Sequence, residues 1–399
     1  MREQTQFTHI LKIVSEFQYK IPLHHFIKNY FRNNKQLGSR DRRLIAAFVY
    51  NYYRLGKTFE EIAVEQKIFF SNFILSNWNE MMDFLNEQFA DNKFSSTKKT
   101  TYEKIEAVKN ITQFSLEKIF PFKYYLCDGV DYQKFLISFL QQPLVWIRIR
   151  KGFREKVIEE LNIHEIEFIT SPLTLSKREG FSALGFKNAT KLSQLVSFEK
   201  GYFEIQDLSS QKTTLFFPGI KNEHWWDCCA GAGGKSLMLA DAFPEIKLSL
   251  SDSRESILQN AKERLKKAGI KNSKLQGLDL LSANCQLPSE NLFSGIIVDV
   301  PCTGSGTWAR TPENLWNFTV DKIEKFSAMQ KNILQNIVKH IQPQGYLVYI
   351  TCSVFKKENE DNIQFLQKNF GLQLIKQEII KGYDEGADTM FAALLKRES

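Results

Sequence analysis

Two cysteines and an aspartate in this 399-residue chain stand where short apolar runs end. Ile296-Ile297-Val298 leads into Asp299-Val300-Pro301-Cys302, and Tyr346-Leu347-Val348-Tyr349-Ile350 leads into Thr351-Cys352-Ser353. Runs of this kind read as buried strands, and in open α/β sheets ligands bind beyond the carboxyl ends of the strands. Taken alone, Cys302 reads as an inert core thiol, since free cysteine is a common core residue. The second strand-end thiol changes that reading. Sequential strands tend to be neighbours, so Cys302 and Cys352 are expected side by side at one sheet edge. Two thiols and a carboxylate, were a methyl-donor pocket to lie beside them, would suit methylation of a pyrimidine at C5. That carbon becomes nucleophilic only after a thiolate adds at C6, which is covalent catalysis. Asp299 would stabilise charge near N3 of the ring. A base must then remove the C5 proton so that the attacking cysteine can leave, and the second thiol is a candidate.

The donor pocket is sought in Asp227-Cys228-Cys229-Ala230-Gly231-Ala232-Gly233-Gly234-Lys235-Ser236, which follows an apolar run. Glycines at a strand-to-helix turn let the backbone approach a ligand and expose helix N-terminal amides. A phosphate-binding loop needs a glycine five positions before Gly234, where Cys229 stands. A dinucleotide fingerprint begins at Gly231 and Gly233, but its third position is Ser236. S-adenosylmethionine has no phosphate and needs glycines only for close approach. Ser251-Asp252 ends the next strand and offers a carboxylate to ribose hydroxyls, a service that NAD would use equally. Asp279 ends the strand after that and can accept from an exocyclic adenine amine.

These groups need a sheet to align them. From about Gln206 the chain alternates strand and helix as a doubly wound α/β fold does. Strands are predicted at 224–228, 247–251, 274–277, 295–300 and 345–351, and helices at 236–242, 256–268, 320–340 and 358–370. A closing strand pair is predicted at 372–380 and 389–395. Before it, a strand-helix-strand rhythm predicts a small α+β domain over 131–205. There Leu144–Arg150 and Glu165–Ile169 would be strands and Arg154–Leu161 a helix. Arg148 and Arg150 would share one open sheet face, suited to an RNA backbone or simply to solvent. Residues 1–130 read as helical. Leu44, Ile45, Phe48, Val49, Tyr52 and Tyr53 recur at three- and four-residue spacing. Ser39 is the expected N-cap ahead of Asp41-Arg42-Arg43. Further helices are predicted over Phe70–Phe89 and Tyr102–Asn110, with an exposed loop at 91–100.

Composition narrows the functional classes. The net charge is +8, and residues 1–50 carry nine basic against three acidic side chains. That excess suggests a polyanionic partner, RNA first, although a merely solvated helical surface has the same charge. No apolar run has the length of a membrane span, and the first residues lack the apolar core of a signal peptide, so a cytoplasmic protein is expected; it is also expected to be a monomer. Six cysteines contain no CxxC pair and no partnering histidine cluster, which argues against structural zinc or a disulfide scaffold. Cys127 and Cys285 read as core or incidental thiols.

The motifs together resemble the Nop/Sun family of RNA 5-methylcytosine methyltransferases. The resemblance rests on Asp227–Lys235, Asp299-Val300-Pro301-Cys302, Arg310-Thr311-Pro312, Thr351-Cys352-Ser353 and the entry segment Gln206-Asp207-Leu208-Ser209-Ser210-Gln211. It covers roughly 205–395. It implies a Rossmann-like class I methyltransferase domain over 206–399, with a mostly parallel seven-stranded sheet. Leu37-Gly38-Ser39-Arg40-Asp41-Arg42-Arg43 is similar to the NusB-like all-α RNA-binding domain found in this family's bacterial 16S rRNA members. By resemblance Cys352 is the nucleophile and Cys302 assists product release, with Asp299 and Lys235 beside them. S-adenosylmethionine would be held by Cys229, Ala230, Gly231, Ala232, Gly233, Gly234, Lys235, Asp252, Asp279 and Asp299. RNA would meet Arg310 and Pro312, Arg40, Arg42 and Arg43, and Arg148 and Arg150 of an RRM-like small domain. Two residues depart from the family pattern: Ala232 replaces a usual proline, and Arg150 stands where asparagine is common.

The implied activity is S-adenosylmethionine-dependent methylation of cytosine C5 in RNA, with 16S rRNA as substrate. The same chemistry on tRNA or 23S rRNA stays open. So do a non-catalytic RNA-binding protein on this fold and a nicotinamide-dependent oxidoreductase, the last leaving both strand-end cysteines unexplained.

Overall fold

A computed structural model describes residues 2–90, 93–95, 99–171, 182–187, 192–219, 223–282 and 292–398. Cys285 and part of the expected loop at 91–100 lie outside these residues. The chain forms two compact units. One comprises 1–124, 131–142 and 308–319, the other 125–130, 143–307 and 320–399.

The first unit is helical: α1 (Arg2–Glu16), α2 (Leu23–Asn33), α3 (Ser39–Arg54), α4 (Val64–Leu75), α5 (Glu80–Phe89), α6 (Thr101–Lys109) and α7 (Tyr132–Ser138). The stripe expected on α3 is buried at Ile45, Phe48, Val49, Tyr52 and Tyr53. Its N-cap is Gly38 rather than Ser39, which is already helical; Asp41 reaches back to the Gly38 N–H. The helix expected over Phe70–Phe89 is two helices. Asn79 ends the break between them by accepting from the Met82 N–H, a side-chain cap that starts a new helix. Helix α4 buries every residue from Ile68 to Ile74, as a helix enclosed by its neighbours does. Buried Arg54 donates to the carbonyls of Gln141 and Ala309 at 3.0 and 2.9 Å. Trp316 donates to the Tyr53 carbonyl at 2.9 Å, so α3 stitches the distant segment 308–319 into this unit. Helix α7, expected to open the α+β domain, also packs here.

The second unit holds two sheets. The smaller contains β1 (Val145–Ile149), β2 (Ile169–Thr170), β3 (Ser182–Phe186) and β4 (Phe203–Ile205), ordered β2-β3-β1-β4 with every pair antiparallel. It is accompanied by α8 (Arg154–Ile163) and α9 (Val196–Glu199). The strand expected over Glu165–Ile169 shrinks to Ile169–Thr170. Glu165 sits at φ 52°, and Ile166 and Phe168 pack on the small core without pairing as a strand.

The larger sheet follows α10 (Leu208–Lys212). In order come β5 (His224–Asp227), α11 (Gly234–Ala242), β6 (Lys247–Asp252), α12 (Glu255–Lys267), β7 (Ser273–Gly277) and β8 (Phe293–Asp299). After α13 (Asn314–Asn317), which belongs to the helical unit, come α14 (Asp321–Val338), β9 (Ile341–Thr351), α15 (Glu360–Phe370), β10 (Leu372–Lys381) and β11 (Thr389–Arg397). The strand order is β10-β11-β9-β8-β5-β6-β7, parallel from β9 to β7, with β11 antiparallel to both its neighbours. This is the Rossmann-like, mostly parallel seven-stranded sheet expected. Alternate residues of one strand serve opposite faces: Ile296 and Val298 join one core, and Ile297 the other. Among the described residues no helix is long and apolar enough to cross a membrane.

Candidate functional site

Because β8 and β9 are parallel neighbours, their carboxyl ends deliver Asp299-Val300-Pro301-Cys302 and Thr351-Cys352-Ser353 to one edge. The two sulfurs lie 3.2 Å apart, both half-buried. Gly306 lets the loop after Cys302 pack on the Cys352 backbone: its N–H donates to the Cys352 carbonyl at 2.9 Å, and a Cβ there would lie 1.9 Å from the Thr389 carbonyl oxygen. The thiol of Cys302 is pushed well above the ordinary cysteine range. Its contact with Cys352 is the largest cause, followed by burial and the charges of Cys352 and Glu358. Burial and the neighbouring sulfur thus favour the thiol form of Cys302.

A cavity of about 520 Å³ opens beside the pair. The turn after β5 forms one wall. Gly231 and Gly233 have φ of 53° and 78°, a conformation glycine adopts without strain, and α11 begins at Gly234. Cys229, Ala230, Gly231, Ala232, Gly234 and Lys235 line the cavity, whereas Gly233 shapes the turn from behind. Lys235 donates to Asp299 Oδ2 at 3.0 Å and to Ser210 Oγ at 2.8 Å. Asp252 and Asp279, at the ends of β6 and β7, also line the cavity, with Leu278 and Leu280 beside them. The set fits S-adenosylmethionine: close backbone approach at the glycines, carboxylates for hydroxyl and amine donors, and apolar walls for a base.

Asp252 is heavily engaged. It accepts from the Gly231 N–H at 2.9 Å, the Arg254 N–H at 3.0 Å, and the Arg254 guanidinium at 2.9 and 3.1 Å. Burial raises its pKa, but these hydrogen bonds outweigh it and hold the carboxyl below the usual range. Behind the turn, Asp227 is fully buried and pushed up to about 7, mainly by desolvation, while its Oδ2 accepts from Ser236 Oγ at 2.6 Å.

The residues expected to meet RNA fare differently. Arg148 is completely buried and Arg150 nearly so. Both pair with Asp241 of α11, Arg148 at 2.7 Å and Arg150 at 2.8 Å. Arg148 Nε also donates to Gln206 Oε1, and Arg150 to the Ala268 carbonyl. The open arginine face expected on β1 is thus corrected: an unpaired buried charge is too costly to leave facing nothing, and these two hold the small sheet to the large one. Pro312 is buried in the helical unit, so its ring offers no surface to RNA, and Arg310 is half-buried there. Arg40 and Arg43 are exposed. Arg42 turns back to donate to the Leu37 carbonyl at 2.8 Å.

Sequence reading missed Ser210, Arg254 and Glu358. Ser210 lay within the entry segment without an assigned role. Arg254 lies two residues beyond Asp252, and Glu358 sits in a charged Lys356-Lys357-Glu358 run that reads as solvated. Glu358 is instead fully buried, and burial raises its carboxyl pKa despite hydrogen bonds from Ser353, Thr303 and Gln330. Cys127 and Cys228 are buried thiols. Among the described residues, no group of three or more His, Cys, Asp or Glu is gathered that could hold a metal.

Residues 215–395 match the family described as 16S rRNA methyltransferase RsmB/F. Relatives include ribosomal RNA small subunit methyltransferase B of Escherichia coli, 28% identical over 64% of this chain and 61% of its own. The protein of the same name from Salmonella paratyphi A is 27% identical over 67% of this chain and 63% of its own. The chain thus spans less than two thirds of the length of these relatives. In fold it is similar to the crystal structure of PH0851, with TM-score 0.70 and 20% identity, covering 98% of this chain and 97% of that one. NSun6 from Pyrococcus horikoshii, solved with SFG, gives TM-score 0.58 at 19% identity, covering 71% and 97%.

Proposed function

We propose that this chain, whose residues 215–395 match the family described as 16S rRNA methyltransferase RsmB/F, methylates C5 of a cytosine in RNA, with 16S rRNA as substrate and S-adenosylmethionine as donor. The observation that carries the reading is the Cys302–Cys352 sulfur pair, 3.2 Å apart at the ends of adjacent parallel strands. The donor is supported by the glycine turn, by Asp252 and Asp279 in one cavity, and by SFG, an analogue of S-adenosylmethionine, in the NSun6 structure. When bound, S-adenosylmethionine supplies an electrophilic methyl group.

The chain's own residues do the rest. Cys352 attacks C6 as thiolate, which makes C5 nucleophilic. Asp299, held by Lys235, meets the ring near N3, where a proton shared between its carboxyl and the ring nitrogen offsets the negative charge that attack at C6 creates. After methyl transfer Cys302, its own proton released to solvent, takes the C5 hydrogen as thiolate. Loss of that hydrogen reforms the ring double bond, and the C6–S bond breaks to return Cys352 as thiolate.

RNA binding we assign to the helical unit as a NusB-like module, with exposed Arg40 and Arg43 on α3, and to the small α+β domain through surfaces other than Arg148 and Arg150. The protein acts in the cytoplasm as a monomer.

Bisulfite sequencing of total RNA with and without the protein is expected to reveal one protein-dependent cytosine, in 16S rRNA. Cys352→Ala is expected to abolish methylation. Cys302→Ala should instead accumulate an RNA–protein adduct that survives denaturing gels. Normal activity in Cys352→Ala would overturn the roles. Calorimetry with S-adenosylhomocysteine and NAD should give binding of the first alone; tight NAD binding would favour a dehydrogenase.

A further inference from the structure

The two thiols ride on separate loops, and one buried carboxylate ties those loops together. Glu358 Oε1 accepts from the Thr303 backbone N–H at 2.8 Å and from Gln330 Nε2 at 3.1 Å. Its Oε2 accepts from Thr303 Oγ1 at 2.6 Å and from Ser353 Oγ. Thr303 directly follows Cys302, and Ser353 directly follows Cys352. Gln330 also donates to the Pro301 carbonyl, on the other side of Cys302, at 2.9 Å. Asn359 closes the second loop, accepting from Thr351 Oγ1 at 2.5 Å and donating to the Ser353 carbonyl at 2.8 Å. Each thiol is thus flanked by groups anchored on Glu358 or its neighbour, and Glu358 has no exposed surface.

We propose that Glu358 is a positioning residue that fixes the separation and orientation of the Cys302 and Cys352 sulfurs. This rests on the roles proposed for those thiols above. Its action is geometric, through Thr303 and Ser353, and needs no contact of its own with substrate. The donor chemistry makes the claim sharp. A peptide N–H and an amide NH₂ can only donate, so the atom at Oε1 must be an oxygen. The two groups at Oε2 are hydroxyls, which accept as readily as they donate. A glutamine with its carbonyl at Oε1 and its NH₂ at Oε2 therefore satisfies all four contacts. Aspartate keeps the charge but is one methylene too short to span both loops. Geometry thus predicts that glutamine works and aspartate fails, whereas a requirement for charge predicts the reverse.

The test compares Glu358→Gln, Glu358→Asp, Glu358→Ala and Thr303→Val in the full chain. Misplacing reacting groups by about 1 Å costs about 100-fold in rate, so Glu358→Ala and Glu358→Asp are expected to lose kcat on that scale with KM for RNA and donor nearly unchanged. Glu358→Gln should stay near wild type, and Thr303→Val, which removes one hydroxyl contact, should fall between. Adduct formation in a Cys302→Ala background should slow in parallel with kcat. Calorimetric binding of S-adenosylhomocysteine reports that each variant is folded. If Glu358→Ala and Glu358→Asp do not fold, Glu358→Gln and Thr303→Val decide the matter. Wild-type kcat in Glu358→Ala or in Thr303→Val, or a glutamine variant as slow as the alanine one, would overturn the proposal.

Alkylation separates this inference from the reading beneath it. With iodoacetamide, followed by mass spectrometry, Cys352 in the wild-type chain should react faster than Cys302, and Glu358→Ala should narrow that gap. If the wild-type chain methylates no cytosine yet the gap narrows, the proposed function fails and the positioning role stands. If methylation is seen and the gap is untouched, the positioning role fails.

Discussion

A carboxylate offers about four lone-pair sites, and at Asp252 four N–H groups meet them: the backbones of Gly231 and Arg254 and two nitrogens of the Arg254 guanidinium. A ribose that needs this carboxylate must displace the guanidinium first. The Arg254 side chain is 63% exposed, and an ion pair that open to water is worth only ~0–1 kcal/mol. Arg254→Ala is therefore expected to bind S-adenosylhomocysteine about two- to fivefold more tightly, as read by calorimetry. Weaker binding would mean that Arg254 holds the ligand rather than competing with it. The paired thiols and the strand-end acids were legible in sequence because apolar runs mark where strands stop, and chemistry gathers there. Arg254 and Glu358 were not, since their roles depend on atoms brought from elsewhere in the fold. In sequence each is one more charge at a helix start.

At the scale of elements, the contact of β1 with α11 is the informative one. Asp241 is the shared partner of two buried or nearly buried arginines. Removing one member of a buried pair leaves an uncompensated charge, costing about 3–5 kcal/mol. Asp241→Ala strands two, so it should cost at least that much in urea unfolding and more than Arg150→Ala, whose site is the wetter one. Equal, small losses in both variants would show that water reaches the pair. Strands of the large sheet were legible to within a few residues, because buried parallel strands are short apolar runs. The alternation Glu165–Ile169 misled for a physical reason: Ile166 and Phe168 do bury apolar area, but against the side of the small core and without a pairing partner. Arg148 and Arg150 misled similarly. Alternation reports which residues share a face, and it does not report whether that face is wet.

At the scale of the whole chain, the most consequential feature is the excursion of 308–319 into the helical unit. Trp308 is buried there against Phe120 and Phe318, Glu313 accepts from the Leu23 N–H at 3.0 Å, and Trp316 stacks on Tyr52. A truncation that begins at Pro143 keeps both sheets but strips this segment of its partners. It is expected to expose Trp308 and Phe318, raise ANS fluorescence, and aggregate more readily than the full chain; a truncated protein as soluble and as dark to ANS as the whole would count against that view. Nothing in the local pattern of 308–319 announces the excursion, because periodicity reports an element's own shape and not the body it joins. The excursion also sets a clock on biosynthesis. The helical unit is encoded first, yet its core is completed by residues that follow the entire stretch from 143 to 307. At ~5–20 residues per second that stretch takes roughly ten to thirty seconds to emerge. For that interval the nascent N-terminal helices wait with an apolar face uncovered, which is the kind of surface that ribosome-associated chaperones cover.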